Sequence, residues 1–193
     1  MSHYFTNDIN LKHNVDKKNV VINGKEFTFF TDNGVFSKKG LDFGTRTLLE
    51  SLPEDLKGDI LDFGCGYGPI GIYLKKSYDC EVDMLDINER SVSLAKKNAD
   101  LNNAKVNIFL SDIYSNVNKK YDYIVTNPPI RVGKQILYKI LFDAKDYLKE
   151  NGKIYLVINK DQGAKSLMKD LANSYKVSLV NKNKGFFVIC AEK

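Results

Sequence analysis

With 193 residues, 43% of them hydrophobic, the chain can bury one core and is too short for two full-sized domains. Its net charge of +5 arises entirely in residues 149–193, where nine lysines face four acidic residues, so a solvated surface and an RNA contact both remain open. The opening stretch is polar and no apolar run exceeds six residues, so we expect neither an export signal nor a membrane span. The three cysteines lack C-x-x-C spacing, which favours a cytoplasmic protein over a disulfide framework. The only histidines are His3 and His13, so we expect no metal centre and no Ser-His-Asp triad.

The N-terminal quarter predicts a tail, a hairpin and a helix. Residues 1–17 form the expected tail. Asn23-Gly24 lies between two apolar runs and accepts the positive φ angles of a tight turn, so residues 18–52 should begin with a β-hairpin. A helix should follow, beginning near Asp42 and ending before Pro53. Residues 1–193 are expected to form a single domain.

Residues 53–193 alternate between strand and helix patterns, which predicts a mostly parallel sheet with helices on both faces. Asn151-Gly152 is interpreted as the stop of the helix before it. A gap of five residues separates the last two strands, too short for a crossover, so they should pair antiparallel. The expected strands are 60–63, 82–87, 106–110, 121–126, 153–159, 177–180 and 186–191, and the expected helices are 69–76, 89–98, 134–148 and 163–173.

A glycine-rich loop follows the first strand of this core. Gly64, Gly66, Gly68 and Gly71 allow a sharp turn and a close approach of the backbone to a ligand at the carboxyl ends of the strands. The spacing of the last three glycines also satisfies the dinucleotide-binding pattern. The loop by itself therefore does not distinguish a dehydrogenase from a methyltransferase, and a tight turn without a ligand is a further reading.

Three aspartates lie where they can recognise parts of a nucleoside cofactor. Asp86, 20 residues after Gly66, can accept hydrogen bonds from two ribose hydroxyls or cap a helix, although Asn88 is the better cap. Asp112 can accept from an adenine amino group or form a turn. Asp62 can meet the ammonium group of a methionine moiety directly or through water.

The segment Asn127-Pro128-Pro129-Ile130 follows the fourth core strand and predicts the chemistry. Two prolines hold the chain extended and remove donors, which leaves the Asn127 amide and the Pro128 carbonyl as rigid acceptors. An exocyclic amine such as guanine N2 has a delocalised lone pair, and two acceptors on its hydrogens can aim its nitrogen at a methyl donor. A purely structural Pro-Pro turn is the alternative.

Together these stretches resemble the small class I methyltransferases related to the RsmC-type 16S ribosomal RNA guanine-N2 methyltransferases. The resemblance covers residues 20–193 and implies a seven-stranded, doubly wound α/β sheet with an antiparallel last strand. The matching stretches are Gly34-Val35-Phe36-Ser37, Asp42-Phe43-Gly44, Asp62-Phe63-Gly64-Cys65-Gly66-Tyr67-Gly68-Pro69-Ile70-Gly71, Asp86-Ile87-Asn88, Asn127-Pro128-Pro129-Ile130-Arg131 and Gln162-Gly163-Ala164.

The resemblance implies S-adenosylmethionine as cofactor and ribosomal RNA or the small ribosomal subunit as partner. Asn127, Pro128 and Pro129 are the candidate catalytic residues. The candidate cofactor-binding residues are Asp62, Gly64, Cys65, Gly66, Gly68, Asp86, Ile87, Asp112 and Asn127, and the candidate substrate-binding residues are Phe36, Ile130, Arg131 and Lys134, with Lys38 bordering the pocket.

Two features depart from that family. Its larger members have an additional N-terminal domain, for which this chain has no room. Many amino-methylating relatives place an aromatic residue after Asn-Pro-Pro to stack on the target base, whereas Ile130 offers an aliphatic face. These departures leave transfer to a protein glutamine amide or a small molecule as alternatives. A nicotinamide-dependent oxidoreductase, which would explain the glycines and Asp86, and a non-catalytic cofactor-binding module are the alternatives from other classes.

Overall fold

The computed structural model describes residues 12–37 and 40–193, without the side chain of Arg131. Nine strands and five helices are found in these residues. In chain order they are β1 Asp16–Ile22, β2 Lys25–Thr31, α1 Phe43–Leu49, β3 Gly58–Phe63, α2 Pro69–Ser77, β4 Cys80–Asp86, α3 Glu89–Leu101, β5 Asn107–Leu110, β6 Tyr121–Thr126, α4 Lys134–Asp143, β7 Leu148–Asn159, α5 Ala164–Leu171, β8 Lys176–Asn183 and β9 Phe186–Glu192.

The predicted hairpin is confirmed, and two asparagines of α3 attach it to the core. Asn23 and Gly24 adopt φ angles of 46° and 76° between the antiparallel strands β1 and β2. The fully buried Asn98 accepts a hydrogen bond from the Phe30 N–H and donates to the Phe30 carbonyl oxygen, and Asn102 bonds the backbone of Thr28 in the same way. These amides satisfy backbone groups that β2 would otherwise leave unpaired.

The main sheet has seven strands in the order β5-β4-β3-β6-β7-β9-β8. All neighbours are parallel except β9, which pairs antiparallel with both β7 and β8, as predicted. From β3 the chain winds outward to β4 and β5, and then returns to place β6 on the other side of β3. The direction of winding therefore reverses between β3 and β6, and ligands of open α/β sheets bind at such a point.

Helices cover both faces of this sheet. One face packs against the hairpin, α1, α2 and α3, where Leu48 and Ile72 are fully buried. The other packs against α4 and α5, where Leu141 and Leu167 are each 1% exposed. Burying apolar side chains on both sides accounts for the near-continuous hydrophobic strands in the sequence. The doubly wound α/β class is thus confirmed.

The predicted helix stop at Asn151-Gly152 is wrong. α4 ends at Asp143, one 3-10 turn follows, and the chain enters β7 at Leu148. Asn151 and Gly152 instead lie within β7, in the stretch where its pairing with β6 shifts register between Tyr121 and Tyr123. Asn151 has a φ of 59°, and a Cβ on Gly152 would lie 3.1 Å from the Tyr121 carbonyl oxygen.

The first strand begins two residues earlier than predicted, inside the stretch expected to be a tail. β1 begins at Asp16, and residues 12–15 lead into it, with the Asn14 N–H donating to Asp32. Residues 1–11 of the predicted tail lie outside the described residues. Within the described part of the chain, no helix has the length and apolar character needed to cross a bilayer.

Candidate functional site

A cavity of about 940 Å³ opens at the carboxyl edge of the sheet, around the reversal between β3 and β6. Four strand ends supply most of its wall, in residues 63–67, 85–87, 111–113 and 127–130. The volume lies near the upper end of the roughly 300–1,000 Å³ that small-molecule sites span. Three loops predicted to bind a cofactor and the Asn-Pro-Pro segment thus meet in one pocket.

The glycine loop is held by the neighbouring strand β4. The N–H groups of Gly64 and Cys65 both donate to the Leu85 carbonyl oxygen, at 2.9 Å each, and the Gly66 N–H donates to Asp86 at 2.8 Å. Gly64 and Gly66 have φ angles of 72° and 57°, and a Cβ on either would meet no atom within 4 Å. These two glycines therefore provide a turn with open space above the backbone.

The next two glycines of the motif serve packing. Gly68, with a φ of 97°, precedes α2, and a Cβ there would approach Ile72 to 3.0 Å. A Cβ on Gly71 would lie 2.6 Å from the Met84 side chain of β4. The absence of these side chains lets α2 lie close against the sheet. Gly68, predicted to bind cofactor, does not line the cavity.

Asp86 lines the cavity and braces the loop. Its Oδ2 accepts from the Gly66 N–H, and its Oδ1 accepts from the Asn88 N–H at 2.9 Å. Burial raises the pKa of this carboxyl, and the backbone donors oppose that rise. Asn88 caps α3 by accepting from the N–H groups of Arg90 and Ser91, so the cap predicted for Asn88 is confirmed. Asp86 remains able to accept further bonds from the cavity.

Asp62 lies beneath the loop, outside the cavity lining, and is fully buried. One carboxyl oxygen accepts from the Gly71 N–H at 2.8 Å, and the other has no hydrogen-bond partner among the described residues. Burial, reinforced by the nearby Asp86, raises the pKa of Asp62 to about 8. The role predicted for it toward a methionine ammonium group stays a prediction, and the geometry favours the route through water.

Asn127 projects from the end of β6 and is oriented by its amide nitrogen. Nδ2 donates to Asp42 Oδ2 at 3.1 Å and to Thr45 Oγ1 at 2.9 Å. A carboxylate oxygen can only accept, so the amide nitrogen must face Asp42, and Oδ1 faces away from both anchors. This arrangement fixes the orientation of the amide, and the role of Oδ1 as an acceptor for a substrate stays a prediction.

The remaining wall near Asn127 is mostly apolar. Pro128, Pro129 and the half-buried Ile130 line it together with Ile136, which is 44% exposed. Phe36, 37% exposed, lies on the lining as predicted. A flat base could therefore lie against aliphatic and aromatic carbon while its polar edge meets Asn127.

Cys65, Ile87 and Asp112 line the cavity, as expected for cofactor-binding residues. Burial raises the pKa of the Cys65 thiol well above its ordinary value, which disfavours a thiolate nucleophile there. Ile87 is 43% exposed and Asp112 is exposed, so both can reach a ligand.

Of three predicted substrate contacts, Lys134 is the one whose side chain the structure describes, and it is not part of the cavity wall. Lys134 lies outside the lining, with its Nζ 4.7 Å from the Tyr138 ring centroid and 3.9 Å from Asp170. The side chain of Arg131 and the whole of Lys38 lie outside the described structure. Their contacts with a substrate stay predictions.

Several lining residues were missing from the predicted site. Asp42, Thr45, Asp161, Gln162 and Phe186 all line the cavity. Asp42 and Gln162 lie in the stretches Asp42-Phe43-Gly44 and Gln162-Gly163-Ala164, which match the family described above. That match was the sequence signal that could have assigned them to the site. Nothing local in the sequence indicated that α1, 82 residues before Asn127, would contact it.

Comparison with known proteins identifies the family of this chain. The family model described as methyltransferase small domain matches residues 26–190. The uncharacterized protein YbxB of Bacillus subtilis is 42% identical over 99% of this chain and 98% of its own length. The ribosomal RNA small subunit methyltransferase C of Psychromonas ingrahamii is 37% identical over 72% of this chain and 41% of its own length.

A solved structure is similar over most of the fold. It is the T. thermophilus 16S rRNA N2 G1207 methyltransferase (RsmC) in complex with AdoMet and guanosine, with a TM-score of 0.83 and 28% identity. The similarity covers 93% of this chain and 50% of that one. The chain thus spans about half the length of the ribosomal RNA methyltransferases it matches.

Proposed function

The chain belongs to the methyltransferase small domain family, and on that premise we propose that it methylates the exocyclic N2 of a guanine in 16S ribosomal RNA. The chain is an S-adenosylmethionine-dependent methyltransferase of the RsmC type. A nicotinamide-dependent oxidoreductase is set aside by this family membership. The guanine target is the further step, and the orientation of the Asn127 amide is the observation that supports it.

The described residues fit the cofactor. The cavity has the volume for it, and the backbone of Gly64 and Gly66 leaves open space where a ligand can approach closely. Asp86 would accept from the ribose hydroxyls and Asp112 from the adenine amino group. When bound, S-adenosylmethionine supplies a methyl group on a positively charged sulfur.

Asn127 and Pro128 would hold the target amine. Asn127 Oδ1 and the Pro128 carbonyl oxygen accept from the two N2 hydrogens, which aims the nitrogen lone pair into the cavity. The nitrogen gains the methyl group and loses one proton to water, so no strong base is required. The gain in rate comes from orientation and fixed dipoles. Ile130 and Ile136 provide the apolar surface for the base.

The charge distribution supports an RNA substrate. Some of the C-terminal lysines make contacts within the protein. Lys149 pairs with Asp59 and Asp122, and Lys193 donates to backbone carbonyls. Lys184 lies near the cavity. Its Nζ is 5.3 Å from the ring centroid of Phe43, and that ring packs against Phe186, which lines the cavity wall. A lysine there can meet a phosphate next to a bound nucleotide. A cytoplasmic location follows from this substrate.

Labelled S-adenosylmethionine tests the target directly. The protein is incubated with naked 16S RNA, small ribosomal subunits and total cell protein in separate reactions, and the labelled nucleoside or amino acid is identified. We expect N2-methylguanosine from the RNA or from the particle. Label in a glutamine side chain would overturn the proposal and indicate a protein substrate, since that amide nitrogen is also planar and delocalised.

Asn127→Ala tests the proposed clamp. Removing the acceptor should slow single-turnover transfer at saturating cofactor by at least about a hundredfold, as for loss of one preorganised polar group. Cofactor affinity, measured by calorimetry, should change little. Asn127→Asp keeps an acceptor but places a second carboxylate beside Asp42, so it should also be slow. Transfer by Asn127→Ala at the parent rate would show that other groups hold the nitrogen.

A further inference from the structure

Asn127 is held by the first turn of α1, far away in the sequence. Its Nδ2 donates to Thr45 Oγ1 at 2.9 Å and to Asp42 Oδ2 at 3.1 Å, across separations of 82 and 85 residues. Both partners are acceptors for a single amide nitrogen. The segment that opens α1 thus reaches the chemical centre of the pocket.

The same carboxylate oxygen has two duties. Asp42 Oδ2 accepts from the Thr45 N–H at 3.0 Å, which caps α1, and it also accepts from Asn127. Turning the Asn127 amide over would put its oxygen against this carboxylate, and two acceptors repel. The pair of bonds therefore fixes which amide atom points toward the substrate.

The anchors themselves are held in place by close packing. Thr45 is 3% exposed. Gly44 lies between the two anchors, and a Cβ there would come within 2.9 Å of the Phe186 ring and 3.0 Å of Asp42 Oδ2. The first turn of α1 therefore lies directly against β9, with Phe43 and Phe186 5.7 Å apart between ring centroids. Close packing of this kind leaves the anchors little freedom to move.

We propose that Asp42 and Thr45 are positioning residues for methyl transfer, acting through Asn127. Their bonds to Nδ2 hold Oδ1 in the direction from which it accepts the target amine. This inference rests on the proposed function, because its kinetic consequence appears only where Asn127 orients the reacting nitrogen. Preorganisation of this kind lowers the barrier without changing how strongly the cofactor binds.

Thr45→Val removes one anchor, and with it the 3.5 Å hydrogen bond from Thr45 Oγ1 to Asp42 Oδ2, with almost no change in shape. Single-turnover transfer at saturating cofactor and RNA should slow about tenfold, the effect of losing one ordinary hydrogen bond. Cofactor affinity should stay at the parent value, and Thr45→Ser should recover most of the rate. Thr47→Val is the matched control, since Thr47 is 2% exposed on the same helix and its hydroxyl donates to the Phe43 carbonyl instead.

A double-mutant cycle separates positioning from a general structural effect. In an Asn127→Ala background, Thr45→Val should slow transfer no further, because the group it positions is absent. An equal slowing in both backgrounds would overturn the proposal. Should Thr45→Val fold poorly, Asp42→Ser takes its place: serine still caps α1, and it is too short to keep the bond to Asn127.

An NMR experiment tests the anchoring of Asn127 without any methyl transfer. The side-chain amide signals of Asn127 in a nitrogen-15 spectrum are assigned by their disappearance in Asn127→Ala. Thr45→Val should move these signals and speed their hydrogen exchange, whereas Thr47→Val should leave them alone. Unchanged Asn127 signals in Thr45→Val would refute the anchoring whatever the substrate. If the signals move and the parent methylates no RNA, the anchoring stands and the proposed guanine target fails.

Discussion

Asp62 is a buried carboxyl group beneath the glycine loop, and it should make the stability of the cofactor-free protein depend on pH. Its side chain is fully buried, and one of its oxygens has no hydrogen-bond partner among the described residues. Ionising it there leaves a charge with a single backbone donor, the Gly71 N–H. Asp62→Asn keeps the shape and the acceptor for Gly71 but cannot ionise, which makes it the informative change.

The magnitude follows from the shift in pKa. The folded protein keeps the Asp62 proton up to a pH of about 8, whereas the unfolded chain releases it near the ordinary value of 3.8. Between these values the folded state binds more protons, so the free energy of unfolding falls as the pH rises. Each pH unit costs at most about 1.4 kcal/mol, and the loss between pH 5 and pH 8 is up to about 4 kcal/mol.

Urea unfolding of the parent and of Asp62→Asn at pH 5, 6, 7, 8 and 9 measures this loss. Titrating groups far from Asp62 affect both proteins alike, so the difference between the two free energies reports Asp62 together with its interaction with Asp86. The variant should gain stability relative to the parent with each step in pH, and the gain should level off above pH 8. Two curves that stay parallel would show that the carboxyl ionises at no cost, and the reasoning from its burial would be wrong.

Three further changes address the loop, the cofactor and the RNA. Gly71→Ala places a Cβ 2.6 Å from the Met84 side chain and should destabilise the protein by about 1–3 kcal/mol in urea; unchanged stability would mean that α2 can move. Asp86→Ala should weaken binding of demethylated cofactor by about 1.5–3 kcal/mol in calorimetry, and an unchanged affinity would limit Asp86 to bracing the loop. Lys134→Ala should flatten the log-log dependence of RNA affinity on salt by just under one unit, whereas Lys139→Ala, five residues further along the same helix, should leave the slope unchanged; a slope in Lys134→Ala equal to that of the parent would exclude a phosphate contact by Lys134.

Much of the fold was predictable because its signals are local. Asn23-Gly24 has the backbone freedom of its turn, and the alternation of strands and helices leaves few arrangements other than a doubly wound sheet. The same sheet brings the loop after β3, Asp86 and Asn127 to one edge, since the carboxyl ends of parallel strands lie together. The position of the pocket was therefore predictable from residues near strand ends.

The helix before β7 shows where local periodicity misleads. Leu137, Leu141, Ala144 and Leu148 repeat at helical spacing, and all are buried, so the pattern continues past the true end of α4 at Asp143. In the structure Leu148 is already in β7, where it pairs with Tyr121 of β6. A residue at a helical interval can thus be buried because it belongs to the next element. Asn-Gly then marks a register shift within a strand as readily as the end of a helix.

The Asn127 anchor illustrates a limit that no local pattern overcomes. Asp42 has the sequence signature of a helix cap, and the structure confirms that it caps α1. Its second bond, to Asn127, depends on how α1 packs against β7 and β9, which is a property of the assembled sheet. A carboxylate that caps a helix still has lone pairs that can accept further hydrogen bonds. A capping residue whose helix starts at a pocket can therefore also orient a polar group in that pocket. Thr45→Val removes a hydroxyl that contacts Asn127, and Thr47→Val removes one that bonds only within α1, so their comparison measures what the tertiary contact adds to a locally predictable cap.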